Sequence, residues 1–139
     1  MLEVITVMAI TLMLASLAAA SGNKMRARGA LDDNQATIIR AFESARTRSF
    51  SGVGTTSHGV HLSSEEVVLF SGSAYSPTDP SNHTYLLSPS VTLSSTVATI
   101  IFERITGKPT ATSTITLLHG SGETRIAQIK ETGSINYAP

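Results

Sequence analysis

The 139-residue chain contains no cysteine and no tryptophan, and only 14% of its residues are charged. Without cysteine the chain can form neither a disulfide framework nor a thiolate metal site, so packing and strand pairing must hold its folded part together. Ten basic residues balance ten acidic ones. This neutral balance gives no electrostatic footprint for nucleic acid at the level of the whole chain.

Only one long apolar run is present; it covers residues 1–20 and carries a single charge, that of Glu3. About 20 apolar residues can cross a bilayer as a helix, and an acid inside such a helix costs a few kcal/mol unless a partner neutralises it. The remaining length suits one β domain of roughly 85 residues. The sequence predicts an α+β protein with a long N-terminal α-helix, hydrophobic in its first half and amphipathic in its second, packed on an antiparallel β domain. Its parts are a hydrophobic transmembrane or filament-core helix segment over 1–22, an amphipathic helix half over 23–49 and a globular antiparallel β domain over 50–139.

The flanks of the apolar run leave three interpretations open. Ala18 to Ala20 offer a signal-peptide cleavage site, although no Lys or Arg precedes the apolar core. Lys24, Arg26 and Arg28 follow the run, and in a plain membrane anchor they would hold the C-terminal side in the cytoplasm. In a processed precursor, basic residues of a removed leader would instead favour the opposite orientation.

The first ten residues carry a more specific signal. The segment MLEVITVMAI resembles the start of mature type IV pilins and pseudopilins, in which a hydrophobic stretch carries a single Glu near the amino terminus. The Glu is third here and fifth in the family, and the first residue is Met instead of the usual methylated Phe. The resemblance implies a structural subunit of a type IV pilus that polymerises through its N-terminal helix into an extracellular helical filament for adhesion, twitching motility or DNA uptake.

The resemblance also implies partners and a location. The chain would bind copies of itself, the inner-membrane pilus assembly machinery and a prepilin peptidase, and it would lie in the cytoplasmic membrane before assembly at the cell surface. Nucleic acid is a further partner that the neutral charge does not indicate, and no cofactor is expected. The alternatives are a minor pseudopilin of a type II secretion or competence system, and a monomeric membrane-tethered β domain that binds at the surface.

Within this resemblance, Glu3 and Met1 are the residues expected to set assembly and register. In a staggered array the carboxylate of one subunit lies near the free amine of a neighbour, and each ion removes the desolvation cost of the other. Alternatively, Glu3 lies at head-group level, favoured by the helix macrodipole and by water. The apolar residues expected in the filament core are Leu2, Val4, Ile5, Val7, Met8, Ile10, Leu12, Leu14 and Leu17.

Two glycines mark a weak point after the apolar run. Gly22 and Gly29 each cost about 1 kcal/mol relative to alanine in a helix interior. In filaments of similar proteins a segment in this neighbourhood loses helical structure, so Ser21, Gly22 and Asn23 are the candidates for melting on assembly. An intact helix with tolerated glycines is the alternative.

The second half of the helix is amphipathic. Apolar residues recur there at helical spacings, which predicts a stripe packed on a sheet. Charged residues on the other face predict a solvated surface with local i, i+3 pairs. The stripe consists of Leu31, Ile38, Ile39, Phe42 and Ala45, and the charged face of Arg40, Glu43 and Arg46.

After Ser49, glycine, proline and β-branched residues are typical of an all-β part. The predicted strands are 59–62, 66–70, 84–87, 91–93, 99–104, 112–118, 124–130 and 133–137. Over roughly the last forty residues, IFER leading to TG, then TITL, RI and TGSI resembles the β domain of H-type minor pseudopilins. This second resemblance concerns the fold and does not distinguish a major from a minor subunit.

Chemistry-bearing residues form no recognisable catalytic set. His58, His61, His83 and His119 are scattered, and two residues three apart on a strand lie on opposite faces. No nucleophile elbow or phosphate-binding loop occurs, so an enzyme is not expected. The Pro-rich connection 75–83 is long enough to protrude, and Asn82 begins a glycosylation sequon within it.

Overall fold

The computed structural model describes residues 2–52 and 56–138, and it describes no side chains for residues 17–21 and 138. In these described residues the chain forms one helix, α1 (Leu2–Phe50), and eight strands. The strands are β1 (His58–Leu62), β2 (Glu66–Ser71), β3 (His83–Leu86), β4 (Val91–Ser95), β5 (Thr99–Phe102), β6 (Ser113–His119), β7 (Thr124–Ile129) and β8 (Ile135–Ala138). The predicted α+β class is confirmed.

The strands form two antiparallel sheets. Sheet A has the order β3-β2-β1-β5, and sheet B has the order β4-β6-β7-β8. Each of the eight predicted strands overlaps one of these strands, with ends that differ by at most two residues. The prediction works because glycine and proline turns separate short segments in which buried and exposed side chains alternate.

The amphipathic half of α1 packs against both sheets. Leu31, Ile38, Phe42 and Ala45 are buried as their spacing predicts, whereas Ile39 is only half-buried. The ring of Phe42 meets that of Phe102 edge to face, with centroids 6.2 Å apart. The core is completed by apolar residues from both sheets and their connections: Val60, Leu62, Val67, Leu69, Leu87, Val91, Leu93, Ile100, Ile115, Leu117, Ala127 and Ile129.

The predicted i, i+3 pairing among Arg40, Glu43 and Arg46 is wrong. In the part of the chain that the structure describes, the ion pairs are Arg28 with Glu123 and Arg125 with Asp32. Arg46 instead reaches across the end of sheet B and donates a hydrogen bond to the carbonyl of Thr132 at 3.3 Å. This bond joins the helix to the turn after β7.

The connection after β2 folds back onto sheet A. Tyr75 stacks on His61 with ring centroids 4.0 Å apart and meets Phe70 edge to face at 5.5 Å. This places Tyr75 over the sheet face that is turned away from the helix, where Phe70 is buried. Tyr75, the first residue of the predicted protruding connection, therefore covers an apolar surface, whereas residues 76–78 are exposed.

Candidate functional site

The first fifteen residues of α1 form the most unusual surface of the molecule. All residues in the range 2–16 are exposed, and the large apolar side chains among them range from 58% exposure at Ile10 to 80% at Leu2. A helix that is apolar on every side is stable in a packed core, a bilayer or a helical bundle. We call this surface the apolar helix segment (residues 2–16).

Hydroxyl groups within the apolar helix segment are satisfied by the helix itself. Thr6 donates to the carbonyls of Leu2 and Glu3 at 3.2 and 2.9 Å. Thr11 donates in the same way to the carbonyls three and four residues before it, those of Met8 and Val7, at 2.9 Å each. Ser16 donates to the Met13 carbonyl at 2.8 Å. Because these bonds stay within one helix, the hydroxyls present little unsatisfied polarity to an apolar partner.

Glu3 differs from these hydroxyls. It lies in the first turn of α1, where the positive end of the helix dipole favours a carboxylate. Its side chain is exposed, and neither of the ion pairs in the described part of the chain includes it. An acid held in this way on an apolar helix has its charge available to a partner outside the chain.

The other residues predicted for this site are the apolar residues of the helix, Met1 and the three residues expected to melt. Leu2, Val4, Ile5, Val7, Met8, Ile10, Leu12 and Leu14 are exposed on the segment. Met1 lies outside the described residues, and for Leu17 and Ser21 the structure describes no side chain. Gly22 and Asn23 are helical in this single chain, so their melting in an assembled state stays a prediction. None of the described helical residues form a stretch with the length and apolarity of a membrane span.

The β domain holds the second half of α1 at several points. Ala27 is fully buried, and Arg28 donates to the Glu123 carboxylate at 3.4 Å. One turn later, Asp32 accepts a hydrogen bond from Arg125 at 3.3 Å. Both contacts are on the partly exposed side of the helix, where each is worth at most about 1 kcal/mol. They fix orientation more than they add stability.

Two buried polar residues of α1 make stronger attachments that the sequence prediction missed. Asn34 donates to the Ala30 carbonyl at 2.7 Å and accepts from the backbone N–H of Ser88 at 2.9 Å. Ser49 accepts from the backbone N–H of His58 at 3.0 Å. Asn34 lies three residues after Leu31 and four before Ile38, so helical spacing alone could have marked it as a buried polar residue on the apolar stripe.

Two histidines, His58 and His61, lie on strand β1 of sheet A and have lowered pKa values. In the described part of the chain, no group of three metal-ligating side chains comes together. Burial lowers the pKa of His58, and the nearby Arg48 lowers it further. Burial also lowers the pKa of His61, opposed by the charge of Glu66, and the Nδ1 atom of His61 lies 2.8 Å from the Thr99 hydroxyl. These two rings belong to the packing of sheet A, on opposite faces of β1.

The sequon residue Asn82 is tied into its own loop. Its amide nitrogen donates to the Ser76 carbonyl at 2.8 Å, and its amide oxygen is buried. Attachment of a glycan would use the same nitrogen, so it would require this hydrogen bond to be released or shared. Glycosylation at Asn82 stays a prediction.

Comparison of the chain with protein-family models, curated proteins and solved structures gives no match.

Proposed function

We propose that this chain is the structural subunit of a filament similar to a type IV pilus, assembled through the apolar helix segment. The observation that carries the proposal is the contrast along α1. Residues 27–49 supply a stripe buried by the β domain, whereas the side chains of residues 2–16 are exposed all around. The apolar surface of such a segment is stable only when it is buried, and a bundle formed by copies of the same helix buries it.

In the single chain α1 is one continuous rod from Leu2 to Phe50. At 1.5 Å per residue, Glu3 then lies about 36 Å along the axis from Ala27, the start of the part held by the β domain. That length separates a filament core of helices from an outer layer of β domains. Before assembly the same rod lies in the cytoplasmic membrane, where prepilin peptidase and the assembly machinery act on it.

Glu3 sets the axial register in the proposed fibre. Burial of a lone carboxylate among apolar helices is strongly unfavourable, so a subunit is stable only where a positive charge of its neighbour lies close by. The free amine at the start of the next copy is that charge. A principal subunit and a minor pseudopilin both use this arrangement, and both belong to the proposal.

The test is substitution of Glu3 by alanine in cells that produce the full chain. We expect Glu3→Ala to enter the membrane normally but to reduce sheared surface fibres at least tenfold. Glu131→Ala is the matched control because Glu131 is an exposed acid of the β domain; this variant is expected to form normal fibres. Normal fibres from Glu3→Ala would contradict the register role, and single copies in the wild-type surface fraction would favour a tethered binding domain.

A further inference from the structure

A second exposed apolar surface lies where α1 ends. Phe50, the last residue of the helix, and Ile105, in the connection after β5, are each 67% exposed. Ile105 is fixed beside the helix end by a hydrogen bond from its N–H to the Ser49 carbonyl at 3.0 Å. We call Phe50 and Ile105 the distal patch.

The backbone of Ile105 is strained. Its φ angle is 73°, in the left-handed region that β-branched residues rarely adopt. Glycine or asparagine would take this conformation at a lower cost. Since the side chain of Ile105 is exposed and fills no core position, local packing does not account for an isoleucine here. Strained residues kept against such a cost are concentrated at functional surfaces.

The charges around the distal patch are mainly positive. Arg48, Arg104 and Lys108 are exposed beside it. Glu103 is the acid of the same connection, and its carboxylate accepts a hydrogen bond from the Thr106 hydroxyl. A partner for this patch should therefore offer an apolar side chain with carboxylates next to it.

The same chain carries that combination at the opposite end of sheet A. Leu86, on the edge strand β3, is 77% exposed and lies opposite Glu66 in the register of β2 and β3. Glu65, the preceding residue, is also exposed. The turn that holds these acids, residues 63–66, contains no Lys or Arg. We call Glu65, Glu66 and Leu86 the proximal patch.

One molecule cannot join its own two patches. His58 pairs with Phe102 at the distal end of β1, and Leu62 pairs with Val67 at the proximal end. Four strand steps of about 3.3 Å separate these ends by about 13 Å at least, through the body of the sheet. Contact between the patches therefore requires two copies arranged head to tail. Because the two surfaces differ, the contact is heterologous and its repetition yields an open polymer when the rotation does not close.

We propose that the distal patch of one subunit docks on the proximal patch of the next copy along the fibre, with Ile105 and Phe50 against Leu86 and Arg104 near Glu65. This inference rests on the proposed function, since it names a second contact between the same copies. The contact lies in the β domains, far from Glu3, and it sets the axial stacking of the outer layer.

The first test replaces Ile105 by asparagine in the full chain. Asparagine tolerates the left-handed backbone, so we expect the thermal unfolding temperature to stay the same or rise, while the yield of sheared fibres falls at least fivefold. Leu118→Asn is the control, because Leu118 is an exposed apolar residue on sheet B, 46% exposed. The control should form fibres as the wild type does.

The second test exchanges charges across the contact. Arg104→Glu and Glu65→Arg are each expected to reduce fibre yield, and the double variant is expected to restore most of it. The inference would be overturned by any of three results: normal fibres from Ile105→Asn, an equal loss of fibres in Leu118→Asn, or no rescue in the double variant. The proposed function would still stand in each case, provided that the wild-type chain forms fibres. Wild-type material that forms no fibres would overturn both.

Discussion

The ring of Phe70 lies directly over Gly59. A Cβ atom added to Gly59 would fall 2.5 Å from Cζ of Phe70 and 2.9 Å from the backbone oxygen of Ile100, distances that no real side chain tolerates. Phe70, on the neighbouring strand β2, thus occupies the space that a side chain at position 59 of β1 would fill. Tyr75 then meets Phe70 edge to face from outside, so the missing side chain at Gly59 leaves the space that this aromatic pair occupies.

Substitution of Gly59 by alanine should destabilise the β domain. The methyl group forces Phe70 out of its place or shifts the strand that carries Ile100, and overpacking of this kind costs about 1–3 kcal/mol. The measurement is the free energy of unfolding from denaturant titration, followed by far-UV circular dichroism. An unchanged denaturation midpoint would show that Phe70 does not occupy this position.

Gly29→Ala is the matched control for this prediction. A Cβ atom at Gly29 meets nothing within 4 Å, and the residue lies inside α1. The same chemical change should therefore stabilise the helix, by about 1 kcal/mol at most. A loss of stability in Gly59→Ala and a gain in Gly29→Ala would show that close packing requires the glycine at position 59, whereas no packing contact requires the one at position 29.

Replacement of Asn34 by alanine should loosen the attachment of α1 to the connection between β3 and β4. The change leaves the Ser88 N–H without its acceptor in a partly buried place, which costs about 1–3 kcal/mol. Thr37→Ala is the control, because Thr37 is a half-buried residue of the same helix whose hydroxyl donates only to the Asp33 carbonyl within that helix. Equal stability of the two variants in thermal denaturation would contradict the role given to Asn34.

The stability of the β domain should fall when the pH falls below the ordinary histidine value of 6.5. Burial lowers the pKa of His58 and His61 in the folded state, so the unfolded chain takes up protons first. The stabilisation is complete above pH 6.5 and is lost progressively as the pH falls toward the folded-state pKa values.

The measurement for the pH prediction is the free energy of unfolding across this window. His58→Gln should flatten the slope, because a glutamine does not titrate, and the remaining slope belongs partly to His61. His83→Gln is the control, since that residue is exposed on the edge strand β3. A wild-type curve that rises toward low pH would contradict the sign of both shifts.

The helix and the strands were predicted from the sequence more accurately than the contacts between side chains were. Helical spacing identified Leu31 and Phe42 as buried, and turn residues located every strand, because these signals are local and periodic. The sequence did not predict the roles of Asn34, Ser49 and Gly59, each of which depends on a neighbour that the fold brings from elsewhere in the chain. Arg46 was assigned to the wrong partner for the same reason.

For the candidate site, the sequence and the single chain give complementary information. The sequence marked Glu3 and the apolar residues around it. The structure adds that these side chains are exposed and that the hydroxyls of Thr6, Thr11 and Ser16 bond to carbonyls of the same helix. The proposed counter-ion of Glu3 belongs to another copy of the chain. The proposed fibre therefore requires that residues 2–16 become buried when copies assemble.

The absence of cysteine allows the most direct measurement of that burial. A single cysteine is placed at Ile10 in the apolar helix segment or, as the control, at Thr78 in the exposed connection before β3. Sheared surface fibres are treated with a membrane-impermeant maleimide before and after they are dissolved in denaturant. If residues 2–16 pack between copies, Thr78→Cys reacts in intact fibres, whereas Ile10→Cys reacts only after dissolution. Equal reaction of both cysteines in intact fibres would contradict this packing.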